Sequence, residues 1–234
     1  MGLSLIIPAF QEGDSLERTI EAVYSTCSSV DFEILIVVDT ITDSSVQIAH
    51  RAQLKFFDIK LLVQDKSGPL SAIKFGIENS IKSHIVVLTA DDTDDVSDIL
   101  KMSKLFDSGT HYVSASRYLA GGSYTGGPKM KRLFSKSASN FLEMRHGSVA
   151  SDPTNGFKGF SRTLYLSTQI QGNVGFTYGM QLLAYVLKNN LSATAIPTQW
   201  HDRLEGASSF KMFKWLPAYT YWFMKLMLLK KETI

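Results

Sequence analysis

The chain has 234 residues, enough for one sizeable domain and short for two. With 44% apolar and 20% charged residues it is neither disordered nor fibrous, and it lacks the run of about 18 uncharged apolar residues that a spanning helix needs. The net charge of +2 hides an asymmetry: residues 1–128 hold 10 Lys/Arg against 17 Asp/Glu, and residues 129–234 hold 14 against 5.

Met1 to Phe10 has no basic flank and no cleavage site, so Leu3–Pro8 reads as a first strand rather than a secretion signal. Asp14-Ser15-Leu16-Glu17 resembles a capping box, and Leu16, Ile20, Val23 and Tyr24 follow at helical spacing. Cys27 is the single cysteine, which fits a reducing compartment. Phe32–Asp39 is continuous and β-branched, as expected of a strand covered on both faces. A helix from about Ser45 to Phe56 and a strand over Ile59–Val63 follow. A loop at Lys66–Pro69 precedes a helix over Leu70–Ser80. Ile85–Ala90 is a further buried strand, and it runs straight into Asp91-Asp92-Thr93-Asp94-Asp95. A helix over Ser97–Phe106 and a strand over Tyr112–Ser116 complete the regular half.

The second half is less regular. Glycine-rich Tyr118–Pro128 reads as a mobile loop, Lys131–Met144 as a helix, and Asp152–Lys158 as a turn leading to a strand or short helix. Tyr178–Lys188 is helical and Ser192–Pro197 strand-like, and a loop over Trp200–Ser209 precedes an aromatic, basic C-terminus. The β-α alternation predicts an α/β fold: a mostly parallel, Rossmann-like central sheet with helices on both faces, in a single domain spanning 1–234.

Ligands of such sheets collect beyond the carboxyl ends of the strands. Pro8–Glu12, Asp39 and Asp91 all lie at such ends. No GxGxxG, GxxxxGK[ST] or GxSxG is present, and the five histidines lack metal-ligand spacing. The acidic run after Ala90 makes an oxygen-rich place for Mg²⁺ or Mn²⁺. Its alternative is a solvated helix N-terminus, the better reading for Asp94, Asp95 and Asp98. Asp39 suits hydrogen bonds from a base or ribose, with a helix cap as the alternative, a role Asp43 fits better. Arg203 lies in a loop with no evident packing role and suits clamping a diphosphate.

The segments IIPAFQEGDSL, ILIVVDTITDSS, IVVLTADDTDD, SRYLAGG, RLFSKSASN, DPTNGFKGF and HDRLEGASSFK stand in a shared order and spacing. Together they resemble the family 2 glycosyltransferases of GT-A fold, in the branch of dolichyl-phosphate mannose synthases and polyprenyl-phosphate glycosyltransferases. The resemblance runs from Leu5 to about Phe223. It implies that Pro8, Ala9, Phe10, Glu12, Asp39, Gly68 and Ala90 line the nucleotide pocket. It implies that Asp91 ligates a divalent metal bridging the donor diphosphate, and that Arg203 closes on the donor phosphates. Arg117 and Ser135, with Lys131 or Arg132, match acceptor-phosphate positions.

Four departures from the family pattern stand out: Gln11 for Asn, Thr40 for the second Asp of Val-Asp-Asp, Thr89 for the first Asp of Asp-x-Asp, and Thr93 where a Gln often sits. Asp92, Asp94 and Asp95 are candidates to compensate for Thr89.

By this resemblance, residues 1–117 form the nucleotide-sugar half, 118–209 the acceptor side, and 210–234 an aromatic and basic C-terminal segment. The expected reaction is inverting transfer of a sugar from a nucleoside-diphosphate donor to a polyprenyl phosphate. An anionic acceptor needs no strong general base. A sugar hydroxyl would need one, and Asp152 is the candidate. A nucleotide-sugar-binding protein without catalysis is the third reading, motivated by Thr89. Nothing points to nucleic acid. The C-terminal aromatics and lysines suit either a membrane interface or a packed helix, and the expected place is cytoplasmic, with peripheral contact to the cytoplasmic leaflet.

Overall fold

The computed structural model describes residues 2–172, 174–203 and 212–229. The chain begins with β1 (Gly2–Pro8), α1 (Asp14–Thr26), β2 (Asp31–Val38), α2 (Ser45–Lys55), β3 (Ile59–Val63), α3 (Pro69–Glu78), β4 (His84–Val87), α4 (Asp98–Asp107) and β5 (Tyr112–Ser116). It continues with β6 (Ser123–Thr125), α5 (Lys129–His146), β7 (Lys158–Ser161), α6 (Arg162–Thr168), α7 (Tyr178–Lys188), β8 (Ala193–Pro197), β9 (Gln199–His201) and α8 (Met212–Leu228). Seven strands form one sheet in the order β3-β2-β1-β4-β7-β5-β8, and β6 pairs with β9 in a small second sheet. Only β7 runs antiparallel to its neighbours in the large sheet.

Residues of one strand alternate between the two faces, and the apolar runs therefore feed two cores. Leu3, Leu5, Ile7, Ile34 and Ile36 meet Leu16, Ile20 and Val23 of α1 and Ile99 and Met102 of α4. Ile6, Leu35, Val37 and Val87 point the other way, into a core with Leu70 and Ile73 of α3 and Leu182 and Leu183 of α7. Each fully buried side chain of this size contributes about 1.5–3 kcal/mol by leaving water. Leu142 of α5 and Leu226 of α8 close this second core.

Several expectations are corrected. The capping box at Asp14 does not form: Gly13 is the N-cap, and Ser15 Oγ donates to Glu12 Oε2 at 3.1 Å instead. β4 ends at Val87, so Leu88–Ala90 already belong to the loop that carries the acids. The glycine-rich stretch is partly ordered as β6, because Ser123–Thr125 pair in parallel with Gln199–His201. The expected loop from Trp200 starts as β9, and its remainder from 204 to 209 lies outside the described residues.

Candidate active site

The carboxyl ends of β1, β2 and β4 lie side by side, because these strands are parallel and adjacent. Past β1, Ala9 is buried and donates to Val37 O, while the Phe10 ring stands half exposed. The next two peptides are tied to the start of α2. Gln11 N–H donates to both oxygens of Asp43 at 3.0 Å, and Glu12 N–H donates to Ser45 Oγ at 3.0 Å. Asp43 Oδ1 also accepts from Ser45 N–H at 2.9 Å, so it fastens the β1 loop to the start of α2, whose N-cap is Ser44. Burial, and then the Asp91 carboxylate, raise Glu12 above the ordinary glutamate range.

Asp39 follows β2 directly. Its Oδ1 accepts from Gln64 Nε2 at 2.5 Å and its Oδ2 from Gly68 N–H at 3.2 Å. Gly68 has φ of 109°, a region that L side chains rarely adopt, and it immediately precedes α3. Asp39 thus shapes the loop at 64–68. Gln64, buried beneath it, was not singled out in the sequence because a lone Gln after a strand carries no pattern.

The acidic run resolves into separate roles. Asp91 Oδ2 accepts from Arg203 Nη2 at 2.6 Å, and its Oδ1 accepts from Thr93 Oγ1 at 2.7 Å. Asp92 turns to Arg18, whose Nε lies 2.9 Å from Oδ2. Asp95 Oδ1 accepts from Ser97 N–H at 3.0 Å, just before α4. Asp98 is fully buried and pairs with Lys101 at 2.6 Å. Asp94 turns back to Thr89, and burial, with Asp91 adding to it, pushes its carboxyl up to about 6.

Arg203 is delivered to Asp91 by the small sheet. β6 and β9 pair, the Tyr124 and Trp200 rings pack at 4.4 Å, and Asp202 accepts from Gly127 N–H at 3.1 Å. Asp202 Oδ1 also accepts from Arg203 N–H at 3.1 Å. Residues more than a hundred positions apart in sequence therefore meet at one point.

Arg117 and Asp152 form a buried two-pronged ion pair. Nε donates to Oδ2 at 2.7 Å and Nη2 to Oδ1 at 2.8 Å, and the side chains are 6% and 0% exposed. The guanidinium carbon lies 5.0 Å from the Tyr124 ring centroid and 5.7 Å from that of Trp200. Burial alone would raise Asp152, but the guanidinium outweighs it and holds the carboxyl below the usual aspartate range. A carboxylate so committed is a poor proton acceptor, which weighs against the base reading of Asp152 and leaves it as the ion-pair partner of Arg117. Arg117 in turn has two of its donors spent on Asp152, so it backs the anion site more than it faces it.

Lys131 and Arg132 lie on the first turn of α5 near this pair. Burial, and then the Arg117 charge, push the Lys131 ammonium down to about 8, and the Asp91 and Asp202 carboxylates act on it in the opposite sense. Arg132 is exposed and its guanidinium carbon sits 5.5 Å from the Tyr124 ring centroid. Ser135 Oγ donates to Lys131 O at 2.9 Å and meets Tyr118 OH at 2.5 Å, so its hydroxyl is engaged within the protein. Lys158 went unnoticed in the sequence. It is fully buried on β7, donates to Ser114 Oγ at 2.8 Å and to Asp152 O at 3.0 Å, and is pushed by burial down to about 7.

Among the described residues no group of three or more His, Cys, Asp or Glu side chains makes an all-protein metal cage. Mg²⁺ does not require one, since one or two carboxylates plus substrate phosphates commonly hold it. Asp91, only partly buried and within electrostatic reach of Glu12, fits that donor set.

Comparisons with known proteins bear on the fold and the family. A dolichol-phosphate mannosyltransferase of Pyrococcus furiosus is 25% identical over 215 residues, covering 90% of this chain; the chain spans 60% of that protein's length. A polyprenol monophosphomannose synthase of Mycolicibacterium smegmatis is 23% identical, over 87% of this chain and 79% of that one. Among solved structures, glucosyl-3-phosphoglycerate synthase from Mycobacterium tuberculosis with Mn²⁺, UDP and phosphoglyceric acid superposes with a TM-score of 0.72 at 15% identity, covering 99% of this chain and 80% of that one. A mannosyltransferase from Pyrobaculum calidifontis in complex with GDP-Man and Mn²⁺ gives 0.60 at 14% identity, over 88% and 58% of the two chains. These likenesses establish the GT-A fold. The family described as Glycosyl transferase family 2 matches residues 4–167, from β1 into α6, and the chain belongs to it.

Proposed function

We propose that the chain is an inverting glycosyltransferase that moves a sugar from a nucleoside-diphosphate donor to a polyprenyl phosphate. The observation that carries this reading is the Asp91–Arg203 pair at the crevice, with Glu12 and Lys131 beside it. The curated relatives named for dolichol and polyprenol phosphate chemistry support the acceptor class.

In this reading residues 1–117 hold the donor and 118–209 the acceptor. Ala9, Phe10, Asp39, Gly68 and Ala90 flank the base and ribose, and Glu12 and Asp91 face the diphosphate. A divalent metal bound at Asp91 would stabilise negative charge on the departing diphosphate. Arg203 exchanges the Asp91 carboxylate for a donor phosphate, replacing one charge-assisted hydrogen bond with another. Lys131 and Arg132, backed by Arg117 and Ser135, attract the acceptor phosphate. That phosphate is anionic at neutral pH and attacks without a general base, which agrees with the role of Asp152 as a partner of Arg117.

No described helix is long and apolar enough to cross a membrane. Helices α5 and α8 nevertheless expose Leu133, Phe134, Phe141 and Met144 beside Leu216, Tyr221, Met224 and Leu228. Lys225 lies over the Tyr221 and Trp222 rings at 4.8 and 4.6 Å. Exposed apolar side chains interspersed with lysines suit peripheral contact with an anionic leaflet. Labelled UDP-, GDP- and dTDP-sugars offered with polyprenyl phosphate in one arm and water-soluble glycans in the other test the reaction. Label passing into the organic phase is the expected result, and label confined to aqueous products rejects the lipid acceptor.

A further inference from the structure

A groove of about 510 Å³ opens between the end of α6, α7 and α8. It lies away from the site already described. α7 ends at Lys188 and leads to Ala193, which pairs with Tyr112 at the amino end of β5, whereas Arg117 follows the carboxyl end of that strand. The walls are tied in place. Gln181 of α7 accepts from Gln171 N–H at 2.7 Å and donates to Gln171 O at 3.0 Å, so the segment after α6 is fastened to α7. Arg145 and His146, at the end of α5, meet the carbonyls of Leu229 and Leu226 at 2.6 and 2.7 Å and hold the last turn of α8.

The lining joins apolar surface to positive charge. Tyr185, Trp222 and Leu229 are partly buried and pack against the second core. Lys188 and Lys225 line the groove from exposed positions. No described lining residue is acidic, so the two ammonium charges have no counter-charge in the groove. Lys225 Nζ rests 4.6 Å from the Trp222 ring centroid, which holds one ammonium against the apolar wall. The groove also meets the outward face of α8. Tyr221, Met224, Lys225 and Leu228 fall at helical spacing on that face, and Lys225 and Leu228 line the groove as well.

Two cations on an apolar wall, beside an exposed apolar helix face, match an anion carried on hydrocarbon chains. A free phosphate would leave the rings and leucines unused, and a neutral lipid would leave the ammonium groups unused. Resting on the membrane contact proposed above, we infer that this groove takes the headgroup of an anionic phospholipid, its phosphate met by Lys188 and Lys225 and its chains running along Leu228 into the leaflet. Bulk lipid then anchors the chain without competing for the acceptor residues Lys131 and Arg132. A lysine beside an anionic surface contributes about fivefold in partitioning, and the attraction fades within about 8 Å at physiological salt.

The test is sedimentation of the whole chain with vesicles of phosphatidylcholine alone, with phosphatidylglycerol added, or with polyprenyl phosphate added at equal charge. Unsubstituted protein is expected to partition onto the phosphatidylglycerol vesicles. Lys188→Gln combined with Lys225→Gln is expected to weaken that partitioning about 25-fold. Lys104→Gln, on α4 against the opposite face of the sheet, is expected to change it less than about twofold. Ala184→Phe fills the groove without changing a charge and is expected to weaken partitioning as well. Should that variant fail to fold, Thr168→Phe fills the groove from another wall. Partitioning that survives groove filling unaltered, or that falls as far with Lys104→Gln as with the lysine pair, overturns the inference, because general charge attraction then suffices. A loss confined to the polyprenyl phosphate vesicles overturns it too, by making the groove part of the acceptor site. Unsubstituted protein that binds none of the vesicles overturns both this inference and the membrane contact, while transfer of labelled sugar to detergent-dispersed polyprenyl phosphate reads the catalytic proposal separately.

Discussion

Arg203 and Asp91 are 112 positions apart, and the guanidinium Nη2 donates to the carboxylate Oδ2 at 2.6 Å. The two side chains are 21% and 13% exposed, so the pair is shielded but reachable. An arginine held on the carboxylate proposed to bear the metal neutralises it before a donor arrives. A diphosphate with its cation would then compete for both partners at once.

Arg203→Ala should therefore act in opposite directions on two measurements. Freed of its guanidinium, Asp91 should bind Mn²⁺ alone more tightly. Binding of Mn²⁺ with UDP or GDP should weaken, because the arginine proposed to bind the donor phosphates is gone. Calorimetry of the metal alone and of the metal with nucleotide checks both, and movement of both affinities in the same direction would contradict the exchange.

The Arg117–Asp152 pair predicts a stability effect and not a simple catalytic one. Breaking a buried ion pair by removing one partner costs about 3–5 kcal/mol, since the other charge is left without compensation. Asp152→Asn should lower the urea midpoint by a corresponding amount, with turnover per folded molecule reduced through a displaced Arg117. A fully stable Asp152→Asn protein with abolished turnover would instead restore the base reading.

In the proposed acceptor role, Lys131 should set a pH dependence. Burial, helped by Arg117, brings its ammonium to about 8. The ammonium attracts an anion and the neutral amine does not, so acceptor KM should rise as pH climbs through about 8. Arginine stays charged throughout this range, so Lys131→Arg should flatten that rise. Acceptor KM measured from below to above this point distinguishes the two proteins.

Lys158 makes a separate prediction about folding. Burial lowers its ammonium from the usual 10.5 to about 7 in the folded chain. Between those two values the unfolded chain holds a proton that the folded chain has released. The contribution of this group to stability therefore increases with pH across that window and is flat and smallest below about 7. Urea unfolding at several pH values should show the rise, and Lys158→Met should remove it.

Much of the fold was legible along the chain. Continuous runs such as FEILIVV can be buried only on both faces of a sheet, and helical spacing marked α1 to α4 to within a few residues. The strand ends carrying Glu12, Asp39 and Asp91 followed from parallel topology alone. β7 was not legible as an antiparallel central strand, because four residues that include Lys158 and Gly159 carry no strand periodicity. β6 and β9 were hidden for the same reason, being three residues each.

Sequence by itself determined the burial pattern, hence the layered sheet and the edge at which the site must lie, because hydrophobic periodicity is a local property. Tertiary structure alone decided which partner each carboxylate meets. Asp152 went to Arg117, Asp92 to Arg18, Asp94 to Thr89 and Asp91 to Arg203, across separations of 35, 74, 5 and 112 positions. A carboxylate chooses its partner by distance and shielding in space, and neither is written in the residues beside it.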